Sequence, residues 1–248
     1  MDLGLSGRRA VVAASSSGLG FATARALAAE GVRVAICGRS SHRLARALEQ
    51  LPDDAVGLPA DVSTAQGAAD FVEEAASTLG GVDILVPNAG GPPPGNFAST
   101  DLEAYRPALE ENLLATVAMC KVAVPGMCAR GWGRVVAITS ATVRQPAPTL
   151  ILSNTARAGV TGFLKTLAGE VADRGVTVNS VQPGLHATDR LVQLHGGDPS
   201  GAAAQVPARQ LGRPEDFGAV VTFLCSDAAR FVTGAAIPVD GGASQGLQ

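Results

Sequence analysis

The sequence predicts an α/β chain, built as a doubly wound, mostly parallel sheet with helices on both faces. Three observations carry that prediction. Short apolar runs alternate with helical patterns at least six times along the 248 residues. The runs are apolar throughout, as strands buried on both faces require. A glycine- and serine-rich turn at residues 14 to 20 follows the first run and opens directly into a helix.

The first run, residues 9 to 13 (Arg-Ala-Val-Val-Ala), predicts a strand. Phe21 to Glu30 has helix-forming composition and stops at Gly31, a residue suited to a helix end. Val32 to Cys37 predicts the second strand and Val56 to Pro59 the third, with a helix over 64–79 and a strand over Val82 to Val86. The stretch Gly91-Pro92-Pro93-Pro94-Gly95 excludes helix. Asp101 to Arg130 predicts a long helix bent near Pro107, and Trp132 to Thr139 a strand. Residues 141 to 152 form an apolar, proline-containing crossover into a second long helix, Ser153 to Arg174. Val176 to Val181 predicts a strand that ends at Pro183-Gly184. Residues 186–208, with Gly196-Gly197-Asp198-Pro199, predict a mobile lid. Arg213-Pro214 starts a helix reaching about Ser226, and Ala235 to Val239 is a last strand. No repeat, linker or charge block divides the chain, so one domain over 1–248 is expected.

Composition narrows the function. A net charge of −3 without a Lys/Arg run argues against a nucleic-acid surface. The cysteines Cys37, Cys120, Cys128 and Cys225 lack metal spacing and read as reduced, mostly buried thiols, with no metal site. No apolar run approaches the ~20 residues that span a bilayer, and no leader segment is evident. A soluble cytoplasmic protein is expected.

In an open parallel sheet, ligands bind at the carboxyl ends of the strands. Ala14, Ser15, Ser16, Ser17, Gly18, Leu19 and Gly20 bring main-chain N–H groups and a positive helix end to one such point, as a pyrophosphate requires. At the end of the second strand an acid would bond a ribose 2′-hydroxyl, whereas an arginine pairs with a 2′-phosphate. Gly38, Arg39 and Ser40 stand there, which favours NADP(H) over NAD(H), with Arg43 a further phosphate candidate. Asp61 is a candidate for the adenine ring and Asn88 with Gly90 for the ribose; each is also an ordinary turn residue. Asn112, inside a helical stretch, is either a surface residue or an active-site ligand.

With these motifs in order, the chain resembles the short-chain dehydrogenase/reductase family along almost its whole length, most of all its bacterial 3-oxoacyl-acyl-carrier-protein reductases. The family's Thr-Gly-x-x-x-Gly-x-Gly loop corresponds to Ala13, Ala14, Gly18 and Gly20, with alanine in place of the first glycine. Asn-Asn-Ala-Gly appears as Pro87-Asn88-Ala89-Gly90. Asp61-Val62, Asn112, Ser140, Pro183-Gly184, Thr188 and Asp240-Gly241-Gly242 stand as the family pattern has them. The resemblance implies a single-domain Rossmann fold with a seven-stranded sheet. It also implies cofactor contacts from Val62, Ala89, Pro183, Gly184 and Thr188, and a homotetramer, favoured over a dimer, paired through the two long helices. Ala156, Ala158 and Gly159 would allow close helix approach in that pairing.

The family's catalytic Asn, Ser, Tyr and Lys correspond here to Asn112, Ser140, Ser153 and Arg157, with Arg157 also expected to bind the cofactor's ribose. Two departures therefore fall on the groups that handle the proton. A serine hydroxyl is a poor general acid, and an arginine stays charged and does not readily shuttle protons. Tyr105, the one tyrosine of the chain, lies seven residues before Asn112 and reads mainly as packing. His186 reads as a solvated loop residue or a substitute acid, and Arg144 and Gln145 as further groups able to polarise a carbonyl.

The leading expectation is an NADP(H)-dependent reductase of a ketone, either a 3-oxoacyl thioester or a hydrophobic, polyketide-like carbonyl. The alternatives are a nucleotide-binding protein without redox activity, and an isomerase or cyclase on a reductase scaffold.

Overall fold

The computed structural model describes residues 2–194, 196–199 and 201–246. Its sheet comprises β1 (Arg9–Val12), β2 (Arg33–Gly38), β3 (Val56–Pro59), β4 (Ile84–Val86), β5 (Gly133–Ile138), β6 (Val176–Pro183) and β7 (Ala236–Val239). All neighbours pair in parallel, in the order β3-β2-β1-β4-β5-β6-β7. The order reverses direction between β1 and β4, which opens a crevice at their carboxyl ends.

Successive strand residues face opposite sides, so each apolar run feeds two cores. Val11, Ala35, Cys37, Leu85, Val135 and Val178 point to one side, where α3 (Ala65–Leu79), α5 (Ala115–Arg130) and α6 (Ile151–Val171) cover them. Val12, Val34, Ile36, Ile84, Val136 and Val181 point to the other, against α1 (Gly18–Ala29), α2 (Ser41–Leu48) and α8 (Pro214–Cys225). Helix α2 is not visible in the apolar pattern because it buries only Leu44 and Ala47.

Between β4 and β5 the chain forms α4 (Tyr105–Leu109), a π turn (Glu110–Leu114) and then α5. The expected bend at Pro107 is therefore corrected. Pro107 occupies the first turn of α4, where its missing N–H costs nothing, and the irregularity lies at the π turn instead. Within Leu102–Arg130 one 18-residue window reaches a mean hydropathy of 1.5, enough to cross a bilayer by length and composition alone. Lys121 interrupts that window, so it contains no unbroken apolar run of ~20 residues. The apolar content serves a core contact here: Ala115, Met119, Cys120, Ala123 and Met127 are buried in the α3/α5/α6 layer.

On α6, Ala156 is fully buried, so its small side chain serves this core rather than a face open to another helix; Ala158 and Gly159 are exposed. After β6 the segment expected to form a lid contains α7 (Asp189–Leu194) and a 3-10 turn (Ala202–Gln205). His195 and Ser200 of that segment lie outside the described residues.

Candidate active site

The phosphate loop leaves β1 through a strained turn. Ala14 has a φ of 45°, in the left-handed region that glycine occupies freely and alanine does not. The turn is fixed from both sides. Asn88 Nδ2, just beyond β4, donates to the carbonyls of Ala13 and Ala14 at 3.3 and 3.1 Å, and Ala14 N donates to Cys37 Sγ at 3.3 Å. Gly20 allows α1 to approach this turn, since a Cβ there would lie 2.8 Å from both Ala14 O and Asn88 Nδ2.

Ser17, the residue capping α1, makes no side-chain cap, and no acid stands in the first turn. The leading N–H groups of α1 therefore face outward uncapped by the chain, as a diphosphate requires. Ser15 departs from the expected set. Its N–H donates to Cys37 O at 2.9 Å, its hydroxyl to Val12 O at 2.6 Å, and the residue is fully buried. Both donors are committed to the sheet, so Ser15 shapes the loop without offering a contact.

At the tip of β2, a Cβ on Gly38 would meet Ser16 Oγ at 2.6 Å, so the place of an acidic side chain is already filled. Arg39 is exposed and forms no ion pair among the described residues. Ser40 Oγ caps α2, accepting from Arg43 N at 3.4 Å. Asp61 is exposed beyond β3, its Oδ1 accepting from Ser63 N at 3.1 Å, and Val62 is buried beneath it.

Arg157 gives the site its main electrostatic feature. One turn after Ser153 on α6, it is only 9% exposed. Its Nη1 donates to Ile138 O and Thr139 O, both at 3.0 Å, and its Nη2 donates to Gly90 O at 3.2 Å. The guanidinium thus joins the end of β5 to the loop after β4, and its hydrogen bonds go to these carbonyls and not outward to where a ribose is expected. Burial pushes its pKa down to about 10, the carboxylate of Glu111 opposing the fall and the guanidinium of Arg190 adding to it. Arg157 stays charged near neutral pH.

Ser140 follows β5 and caps a short 3-10 turn. Its Oγ accepts from Thr142 N at 3.2 Å and from Thr142 Oγ1 at 3.0 Å. With two hydrogen bonds accepted, the hydroxyl proton of Ser140 is left to donate to another group. Ser153 is half-buried and its hydroxyl makes no hydrogen bond among the described residues. Asn112 sits in the π turn, 3% exposed, its Nδ2 donating to Ala108 O at 3.2 Å and its buried Oδ1 left without a donor. An unsatisfied buried acceptor in an interrupted helix marks a place where polar chemistry takes precedence over packing.

Two other expectations are corrected by their surroundings. His186 is neither solvated nor placed to give up a proton. It is 4% exposed, packs edge-on against Phe217 at 5.2 Å, and has Nδ1 3.2 Å from Gly184 O. Burial lowers its pKa below the ordinary histidine value, which keeps it neutral near pH 7. Arg144 donates to Gln182 Oε1 at 2.9 Å and to Ala236 O at 2.7 Å, so its guanidinium braces β6 and β7. Gln145 Oε1 accepts from Gln245 N at 2.9 Å. Pro183 ends β6, Gly184 packs on Asp240, and Thr188 Cγ2 lies 4.0 Å from where a Cβ on Gly18 would stand. That places Thr188 over the phosphate loop.

The site also holds groups that the sequence did not single out. Thr142 orients Ser140, Glu111 faces Gly90, and Arg190 reaches across the cleft. Among them only Arg190 carried a signal, being a cation two residues after Thr188.

Comparison with known proteins agrees with this geometry. Residues 13–244 match the family model described as enoyl-(acyl carrier protein) reductase. The chain is 33% identical over 240 residues to the 3-oxoacyl-acyl-carrier-protein reductase of Vibrio cholerae, covering 97% of this chain and 98% of that protein. It superposes on L-sorbose reductase from Gluconobacter frateurii, solved with NADPH and L-sorbose, with a TM-score of 0.92, 34% identity and full coverage of both chains. A short-chain oxidoreductase from Pseudomonas aeruginosa PAO1, described as containing an atypical catalytic center, aligns with a TM-score of 0.90 at 30% identity, over 98% of this chain and 100% of that one. With its seven-stranded parallel sheet, its phosphate loop at the end of β1 and relatives matched along nearly its full length, the chain belongs to the short-chain dehydrogenase/reductase family of oxidoreductases.

Proposed function

We propose that the protein is an NADP(H)-dependent reductase that converts a small-molecule ketone to an alcohol. The observation that carries this reading is the exposed, unpaired Arg39 beside a Gly38 position closed to acids, at one end of an uncapped phosphate cradle. A 2′-phosphate fits a free guanidinium at that tip, and a ribose diol has no carboxylate there to bind. The NADPH bound to L-sorbose reductase is consistent with it.

NADPH, when bound, supplies the hydride. The protein's part is to hold the carbonyl and supply positive charge as its oxygen becomes negative. Ser140, with its lone pairs engaged by Thr142, donates a hydrogen bond to that oxygen without giving up its proton, and Ser153 offers a second free hydroxyl. Arg157 stays charged beneath them and stabilises the developing oxyanion through the intervening main chain. It also holds Gly90, where the ribose is expected, in place. With His186 buried and neutral, the proton that completes the alcohol comes from water or a substrate hydroxyl. Asn112, with its free buried acceptor, suits a water in that path. Losing a dedicated acid costs about 10²–10⁴ in rate, so an activated ketone is the expected substrate class. The apolar crossover at 146–152 favours a 3-oxoacyl thioester or another hydrophobic carbonyl. The Pseudomonas aeruginosa relative, a short-chain oxidoreductase described as containing an atypical catalytic center, is consistent with an oxidoreductase whose site departs from the family pattern.

The enzyme is expected to act in the cytoplasm as a homo-oligomer, a tetramer more than a dimer. A groove of about 430 Å³ between α5 and α6, lined by Val124, Pro125, Phe163 and Leu167, supports pairing through these helices. The direct test is purified protein with NADPH and a panel of ketones, including 3-oxoacyl thioesters. The reading is abandoned if the native protein turns over none of them while the Ser153→Tyr/Arg157→Lys double variant does.

One observation favours a second reading, a dinucleotide-binding protein without hydride transfer. Among the described residues the guanidinium of Arg157 donates to main-chain carbonyls alone, which also describes a purely structural strut. Micromolar NADPH affinity without turnover, in both the native and the double-variant protein, would select it.

A further inference from the structure

Arg190, on the second residue of α7, crosses from the segment after β6 to the proline loop after β4. Its Nη2 donates to Pro92 O at 2.8 Å, and its guanidinium lies over Gly91, where a Cβ would meet Nη2 at 2.6 Å and Cζ and Nε at 2.8 Å. No carboxylate pairs with it among the described residues. Two cations, Arg157 and Arg190, therefore flank Gly90 and Gly91, with Glu111 as the acid close enough to influence Arg157.

The location limits what an unpaired guanidinium can meet. Two residues earlier, Thr188 stands over Gly18 of the phosphate loop. Gly90, the neighbour of Gly91, is held by Arg157 next to the end of β5. The segment after β6 therefore runs from a residue over Gly18 of the phosphate loop to a guanidinium over Gly91, beside the place where a dinucleotide's diphosphate would be held. The uncapped N-terminus of α1 meets one face of such a diphosphate and leaves the other uncovered.

We propose that Arg190 is a clamp that closes over the dinucleotide's diphosphate from the side opposite α1, exchanging its bond to Pro92 O for a two-pronged pairing with phosphate oxygens. An arginine suits this role because its planar fork matches a phosphate and its charge does not depend on pH. Gly91 leaves room for the guanidinium in its present place, since a Cβ there would crowd Nη2, Cζ and Nε. The proposal rests on the dinucleotide reading above and adds a residue to it.

The test measures binding, not turnover, by fluorescence or calorimetric titration with three ligands: NADPH, NADH and adenosine 2′,5′-bisphosphate. The last keeps the adenosine and 2′-phosphate but lacks the nicotinamide-side phosphate. Arg190→Met is expected to weaken NADPH and NADH alike, by about tenfold or more, while changing the bisphosphate by less than twofold. Arg190→Lys should recover part of the loss, and thermal midpoints should match the parent. An Arg190→Met protein that binds NADPH within twofold of the parent overturns the clamp. Equal weakening of all three ligands also overturns it, because that pattern indicates a damaged loop.

Arg39→Ala keeps the two readings apart: it should weaken NADPH and the bisphosphate but not NADH. If it weakens none of them while Arg190→Met behaves as stated, the 2′-phosphate reading fails and the clamp stands. A native protein that binds neither dinucleotide refutes both.

Discussion

Arg157 sets two large terms against each other, and replacing it by methionine measures the difference. Burial lowers the guanidinium from its ordinary pKa to about 10, and a depression of that size corresponds to a cost of about 3 kcal/mol for keeping the charge inside at pH 7. Against it stand three charge-assisted hydrogen bonds at 3.0, 3.0 and 3.2 Å. At about 1.5–2 kcal/mol each these contribute about 5 kcal/mol, because their loss strands buried carbonyls. Arg157→Met removes both terms and is expected to destabilise the fold by about 2 kcal/mol. Arg157→Lys keeps the charge but cannot span all three carbonyls, and should lose about 1 kcal/mol. Urea unfolding followed by circular dichroism at pH 7, with the slope held common, reads the midpoint shift. A methionine variant as stable as the parent, within ~0.5 kcal/mol, would mean that the hydrogen bonds do not outweigh the buried charge, and the strut would lose its physical basis.

Other substitutions test other parts of the site. Gly20→Ala places a methyl against Ala14 O and Asn88 Nδ2, so it should displace α1 from the phosphate loop, destabilise by about 1–3 kcal/mol and weaken NADPH by at least tenfold in a fluorescence titration. Ala14→Gly relieves a left-handed alanine, worth about 1–2 kcal/mol, against about 0.4–1 kcal/mol of added chain entropy; a thermal midpoint equal to or slightly above the parent's is expected, and a clear fall would argue against the strain. His186 has a lowered folded pKa, so the unfolded chain binds its proton first as pH falls. Stability contributed by its neutral form should be full above the unfolded value of about 6.5 and decline from there towards the folded value. His186→Gln should flatten that part of a stability–pH curve, and an unchanged curve would show that the ring is not titrating as described.

The elements with strong local pattern were legible in the sequence. The strands at residues 9, 33, 56, 84, 133, 176 and 236 are apolar runs closed by turn residues, and each lies within a residue or two of its expected start. The phosphate loop was legible as well, because glycine at 18 and 20 and the uncapped start of α1 are local properties. What depended on tertiary contacts was not. Nothing in the spacing of Arg157 shows that its guanidinium turns inward onto Ile138, Thr139 and Gly90, residues 19, 18 and 67 positions away. The inward turn of Ser15 is set by Cys37 on the neighbouring strand, and the burial of His186 by Phe217 on α8. The π turn was missed because Glu110-Glu111-Asn112-Leu113-Leu114 has the composition of any amphipathic helix.

That π turn constrains how the gene can change. It fits five residues where a regular helix would need about four, so its extra residue can be read as an insertion that the fold has retained. Removing one residue between Glu110 and Leu114 would restore a regular helix, yet it would turn everything on one side by about 100° and shift it by ~1.5 Å. The face of α5 that carries Ala115, Met119, Ala123 and Met127 would then no longer meet α3 and the sheet, or else Tyr105 to Leu109 would leave its seat. Single-codon deletions in this window should therefore be lethal to folding, whereas the exposed ends of α2 and α7 should accept them. A deletion scan of the coding sequence, read by the yield of folded protein, would display the turn as a sharp gap in tolerance.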